Sequence, residues 1–122
     1  TGKTILVVED DARVRRLTVA RLEELGFATL VAGDALEALT VLQSGATIDL
    51  VFTDLVMPGG MSGYELAHRV AENWPGMKVL LTSGYADELV RRDEDAIAHL
   101  KVLSKPYRLA DLSRAIAEVL ER

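Results

Sequence analysis

Acidic residues stand at two places in this chain where an apolar run stops. Glu9-Asp10-Asp11 follow Thr4-Ile5-Leu6-Val7-Val8, and Asp54 follows Ile48-Asp49-Leu50-Val51-Phe52-Thr53. Two further apolar runs end near hydroxyls or a cation, one at Thr82-Ser83-Gly84 and the other at Ser104-Lys105-Pro106. Crowded carboxylates repel one another and call for a counter-cation; a hard divalent ion that retains part of its water, Mg²⁺ above all, suits such oxygen donors. With a hydroxyl and an ammonium beside it, an aspartate in that corner can attack phosphorus while the cations neutralise the equatorial oxygens. Asp at a helix start is also an ordinary cap, so Asp11 reads as a cap, whereas Glu9 and Asp10 leave the run directly and are the metal candidates. A lysine closing an apolar run is uncommon on packing grounds and brings fixed positive charge to the acidic corner.

Those residues meet only if the runs lie side by side. Five runs have strand length and β-branched content: Thr4 to Val8, Phe27 to Val31, Ile48 to Thr53, Met77 to Thr82 and Leu100 to Leu103. Helical stripes fall between and after them. Val14, Leu17, Leu22 and Leu25 precede Gly26; Ala35, Ala38, Leu39 and Leu42 precede Gly45; Leu66, Ala67, Val70 and Trp74 precede Pro75-Gly76; Leu109, Leu112, Ile116 and Leu120 come last. A weaker stripe, Ala86 to Ala98, is interrupted by the charge run Arg91 to Asp95, which reads as a solvated face. Strand-then-helix units with short connections predict an α/β fold, a doubly wound five-stranded parallel sheet with helices on both faces. Ligands of such sheets bind beyond the carboxyl ends of the strands, and in the order 2-1-3-4-5 the first and third strands are neighbours about 4.8 Å apart.

The 122 residues suffice for a single domain, 1–122, and 49% hydrophobic content excludes a disordered chain. A net charge of −5 argues against direct nucleic-acid binding. No apolar stretch approaches the roughly 18 residues that span a bilayer, and no membrane contact is expected. The absence of Cys excludes a disulfide scaffold, a thiolate zinc site and a Cys nucleophile together. The chain begins at Thr1 rather than Met, which reads as something other than a native start, and the sequence leaves open whether the domain stands alone or is part of a longer chain. His68 and His99 are isolated and read as surface or helix-face residues, while Trp74 and Tyr64 read as packing for the third helix.

Taken in order, Ile5-Leu6-Val7-Val8-Glu9-Asp10-Asp11, Asp54-Leu55-Val56-Met57-Pro58, Thr82-Ser83-Gly84 and Lys105-Pro106 resemble the receiver domain of two-component response regulators, typified by CheY, over essentially the whole chain. The resemblance implies a flavodoxin-like (βα)₅ fold in the order 2-1-3-4-5. It implies Asp54 as phosphoacceptor, Asp10 as a direct Mg²⁺ ligand with Glu9 acting through water, and the Val56 carbonyl as a further ligand. It also implies a Ser83 hydroxyl and the Lys105 ammonium on the phosphoryl group, with Ser83 preferred over Thr82 because it directly precedes Gly84. A cis Lys105-Pro106 bond, a histidine kinase or histidine phosphotransfer domain as partner and a cytoplasmic location follow in the same way.

Two departures from the family pattern stand out. Gly59, Gly60, Met61 and Ser62 separate Pro58 from Gly63, one residue more than the family usually has, and the Gly-rich loop resembles receivers of hybrid sensor histidine kinases. Position 102, where many receivers carry an aromatic switch residue, is Val, too short and too stiff at its one torsion to flip inward. Movement on phosphorylation is therefore expected across Ser83 to Asp87.

Three other functions are weighed. An aspartate-nucleophile phosphatase of the haloacid dehalogenase type wants a second Asp two residues after the nucleophile, and position 56 is Val. A flavodoxin-like flavin binder wants a hydroxyl- and Gly-rich first loop, where this chain has Glu9-Asp10-Asp11. A phosphorylation-independent interaction module with the same residues is separated only by experiment.

Overall fold

The computed structural model describes residues 2–57, 60–84 and 100–122. Strands β1 (Thr4–Val8), β2 (Ala28–Ala32), β3 (Leu50–Asp54), β4 (Lys78–Ser83) and β5 (Lys101–Ser104) form one sheet in the order β2-β1-β3-β4-β5, all parallel. The described helices are α1 (Ala12–Glu24), α2 (Ala35–Gln43), α3 (Gly63–Asn73) and α4 (Leu109–Leu120). This is the expected fold class and strand order. Pro58, Gly59, Tyr85, the expected helical stripe Ala86 to Ala98 with its charge run, and His99 lie outside the described residues.

Side chains of the central strands alternate between two buried layers, as a sheet covered on both faces requires. Leu6, Val8, Val51 and Leu81 belong to the layer under α2 and α3, while Ile5, Val7, Leu50, Phe52 and Leu80 belong to the layer under α1 and α4. Full burial of each such side chain contributes about 1.5–3 kcal/mol. α2 buries Ala35, Ala38 and Leu42, α3 buries Leu66, Ala67 and Val70, and α4 buries Leu112, Ala115, Ile116 and Val119. Trp74 and Tyr64 pack, partly buried, on the α2/α3 layer, and His68 is exposed against the edge of the Tyr64 ring.

α1 departs from its expected stripe. Leu22 is buried and Leu25 packs on the core, but Val14 and Leu17 are exposed and Thr18 is buried instead. Thr18, Leu22 and Leu25 are spaced i, i+4, i+7 and share one face. The Thr18 hydroxyl donates to the Val14 carbonyl at 2.9 Å, so its polar group is satisfied within the helix and its methyl can turn inward. Asp11 caps α1 as expected, accepting from the backbone N–H groups of Arg13 and Val14, and Gly26, at φ +96°, follows the C-cap.

Strand ends matter most for the site. β1 runs over the residues read from the sequence, whereas β2 to β5 each end one residue later, at Ala32, Asp54, Ser83 and Ser104. Ladder pairing continues past the apolar run: Asp54 pairs with Thr82, and the Leu55 N–H donates to the Thr82 carbonyl at 2.7 Å. Backbone hydrogen bonds are indifferent to side-chain polarity, so hydropathy alone ends these strands early.

Candidate functional site

One alternation phase delivers the site. Glu9 follows Ile5 and Val7, Asp54 follows Leu50 and Phe52, Thr82 follows Leu80, and Lys105 follows Lys101 and Leu103, each two residues on. The core members of these series, Ile5, Val7, Leu50, Phe52 and Leu80, lie in the α1/α4 layer, with Leu103 packed against it. The four polar residues therefore emerge on the same side at the carboxyl edge. Beneath them lies a small cavity, lined in part by Glu9, Asp54, Thr82, Lys105 and Tyr107.

Lys105 Nζ is 2.6 Å from Asp54 Oδ1 and 3.8 Å from Glu9 Oε1. The Thr82 hydroxyl donates to the same Asp54 Oδ1 at 2.5 Å. On the other side, Glu9, Asp10 and Asp54 each offer a carboxylate oxygen, all within 4.8 Å of one another. Glu9 is buried and Asp10 exposed, so the group opens to solvent through Asp10. The Lys105 N–H donates to the Ser83 carbonyl at 2.8 Å, which ties the lysine to β4, and the Lys105-Pro106 bond is cis as expected.

Burial pushes the Glu9 carboxyl up to about 8, reinforced by its contacts with Asp54 and Asp10; the Asp11 N–H, which donates to Glu9 Oε2 at 3.0 Å, pulls the other way. Burial also works against the Lys105 ammonium, but its hydrogen bond to Asp54 and the charges of Asp54 and Glu9 prevail and hold its pKa above the ordinary lysine value. The corner thus has a charge-paired side at Lys105 and a side where carboxylates oppose one another.

Gly63, the first residue of α3, packs against the backbone at the end of β3. A Cβ at that position would stand 1.7 Å from the Asp54 carbonyl oxygen, and the Gly63 N–H donates to the Leu55 carbonyl at 2.9 Å. Only glycine admits so close an approach of α3 to the end of β3. Gly60, in the preceding loop, has φ +104°, a conformation that favours glycine.

The structure thus brings together Glu9, Asp10, Asp54 and Lys105. Val56 lies in the loop two residues beyond Asp54, its side chain exposed. Ser83 is buried and pairs with Ser104 in the sheet, and the Thr82 hydroxyl is hydrogen-bonded to Asp54. Thr82 is in phase with Leu80 and Ser83 out of phase, a signal already present in the alternation. Val102 packs, half-buried, on the α2/α3 layer. Tyr107 follows Pro106, just beyond the end of β5. Its ring meets the edge of Phe52 at 6.4 Å, lies 5.8 Å from the Arg21 guanidinium and helps line the cavity below Asp54. No spacing signal marks it, because the turn at Pro106 breaks the strand period.

A model of the response regulator receiver domain family matches residues 5–117. The chain belongs to this family. Among similar receivers, the response regulator receiver protein CpdR of Brucella abortus (strain 2308) is 39% identical over 118 residues, covering 97% of this chain and 97% of CpdR. The sensor kinase CckA of the same organism is 34% identical over 120 residues, 98% of this chain but 13% of CckA. Receivers of both settings, alone and within kinases, are therefore relatives. A response regulator receiver domain protein from Clostridium thermocellum has a TM-score of 0.87 at 29% identity, covering 98% of this chain and 95% of that one. The response regulator TrrA of Thermotoga maritima, solved in complex with Mg(2+)-BeF, has a TM-score of 0.83 at 27% identity, covering 96% of this chain and 98% of that one. Among the described residues of this receiver, no helix is long and apolar enough to cross a membrane.

Proposed function

We propose that Asp54 accepts a phosphoryl group from the phosphohistidine of a histidine kinase or histidine phosphotransfer domain. We take residues 1–122 as a single receiver domain that works in the cytoplasm. The observation that carries this reading is the setting of Asp54, with Lys105 Nζ at 2.6 Å on one side and the carboxylates of Glu9 and Asp10 on the other. The Asp54 carboxylate is the nucleophile: a P–O bond forms as the P–N bond to the donor imidazole breaks, and the imidazole keeps the electron pair and takes up a proton. The Lys105 ammonium is in place to neutralise an equatorial phosphoryl oxygen. We assign the phosphoryl hydroxyl contact to Ser83, leaving Thr82 to orient the free carboxylate; Thr82→Val and Ser83→Ala compared side by side test the division.

The crowded oxygen donors suit a hard divalent cation, and TrrA, a receiver of the same fold, was solved with one. Asp10, Asp54 and the Val56 carbonyl would hold Mg²⁺, with Glu9 acting through water. Bound there, the ion supplies positive charge to the phosphoryl oxygens. Acetyl phosphate with Mg²⁺ is expected to add one phosphoryl mass to the protein and none to Asp54→Asn. Uptake by Asp54→Asn to the wild-type extent would overturn the assignment, and no uptake by the wild type would favour a phosphorylation-independent interaction module.

A further inference from the structure

Besides its contact with Lys105, Glu9 is held at three points. Its N–H donates to the Ala32 carbonyl at 3.1 Å, and its Oε2 accepts from the Asp11 N–H at 3.0 Å. The third contact comes from α1, where Arg15 Nη1 donates to the Glu9 carbonyl at 2.8 Å. That carbonyl and the Asp10 N–H belong to one planar peptide group. A hydrogen bond that orients the carbonyl therefore orients the bond from which the exposed Asp10 side chain hangs. The same guanidinium lies beside the β2–α2 turn, where a Cβ at Gly33 would stand 3.6 Å from Arg15 Nη1 and 3.3 Å from Glu37 Oε2. A Cβ there would only touch the guanidinium, so Arg15 lies against this turn while it reaches from α1 to the end of β1.

We propose that Arg15 is a positioning residue for the metal ligands: it locks the Glu9–Asp10 peptide so that Asp10 is presented toward Asp54. The inference rests on the Mg²⁺ reading above. Charge and geometry predict opposite signs for removing Arg15. A guanidinium beside a cation site repels the cation, so loss of its charge alone would tighten Mg²⁺ binding. Loss of a group that orients a ligand loosens it, by roughly tenfold where such supporting partners are removed from metal sites.

The test is calorimetric titration of the full chain with MgCl₂, for wild type, Arg15→Met, Arg15→Lys and Asp10→Ala, with thermal unfolding in a chelator as the check on folding. Arg15→Met is expected to bind Mg²⁺ roughly tenfold more weakly at an unchanged melting temperature in chelator, and Arg15→Lys, which keeps charge and donor, to recover part of the loss. Unchanged or tighter binding by Arg15→Met would overturn the inference. Should that variant not fold, Arg15→Leu, which likewise removes both the donor and the charge, is read by the same criterion. Wild-type protein that takes up no more Mg²⁺ than Asp10→Ala would overturn the metal reading and this inference with it.

Discussion

The two sides of Asp54 are built from opposite materials. Toward β4 and β5 it meets two donors, the Lys105 ammonium and the Thr82 hydroxyl, both on the same carboxylate oxygen. Toward β1 it meets two acceptors, Glu9 and Asp10. The donor side pairs Asp54 with opposite charge, while on the acceptor side three carboxylates crowd within 4.8 Å of one another. A site that pairs Asp54 on one side and crowds carboxylates on the other is most open to an added cation on the crowded side. The difference shows why the electrostatics of Lys105 and Glu9 run as they do: both pKa values rise, one because opposite charges are near and the other because burial and like groups are.

The comparison breaks most directly at Lys105. Lys105→Met removes the only cation shown paired with Asp54 among the described residues. It is expected to lower the stability of the metal-free protein by about 2 kcal/mol, below the range for a fully buried pair because part of the lysine side chain is exposed. Chemical denaturation in chelator measures it, and a change under about 0.5 kcal/mol would show the donor side to be dispensable.

Glu9 sharpens the other side. Its folded pKa, about 8, lies above its ordinary value of 4.5. Its contribution to stability is therefore whole below pH 4.5, declines as pH rises between these values, and is gone above about 8. In chelator the melting temperature is expected to fall across this window, and Glu9→Gln should flatten the slope. A stability curve that rises from pH 5 to 8 and is the same in wild type and Glu9→Gln would contradict the acceptor-side picture.

Smaller effects follow from single groups. Thr82→Val keeps the shape and loses one hydrogen bond to Asp54, a cost of about 1 kcal/mol that thermal unfolding in chelator measures. Asp10→Ala is expected to act in the opposite direction in the metal-free protein, a gain on the order of 0.5 kcal/mol from relieved repulsion at an exposed site, together with loss of any Mg²⁺-dependent stabilisation. A Mg²⁺-induced rise in melting temperature equal to that of wild type would sink the ligand role of Asp10.

Much of this was legible in the residues. The apolar runs and stripes located every described strand and helix, and the acids, hydroxyls and lysine at their ends pointed to one corner. Ladder pairing beyond the hydrophobic stretch was not legible, so Asp54 and Ser83 turn out to close their strands rather than follow them. The roll of α1 was missed for a related reason: Val14 and Leu17 are apolar and Thr18 is not, yet Thr18 satisfies its hydroxyl on its own helix and takes the inward place. Tyr107 was missed because its contacts with Phe52 and Arg21 join segments far apart in the chain.

By itself the sequence determined the alternation of strands and helices and the chemical types at each strand end, because period and polarity are local properties that any reading of the chain recovers. Which of two adjacent hydroxyls meets Asp54, how near Lys105 comes to it, and that Arg15 reaches back to the Glu9 carbonyl were decided only by the tertiary structure. Each depends on the register between parallel strands or on the roll of a helix over the sheet. Those are set by long-range packing, where a shift of one residue turns a side chain to the opposite face.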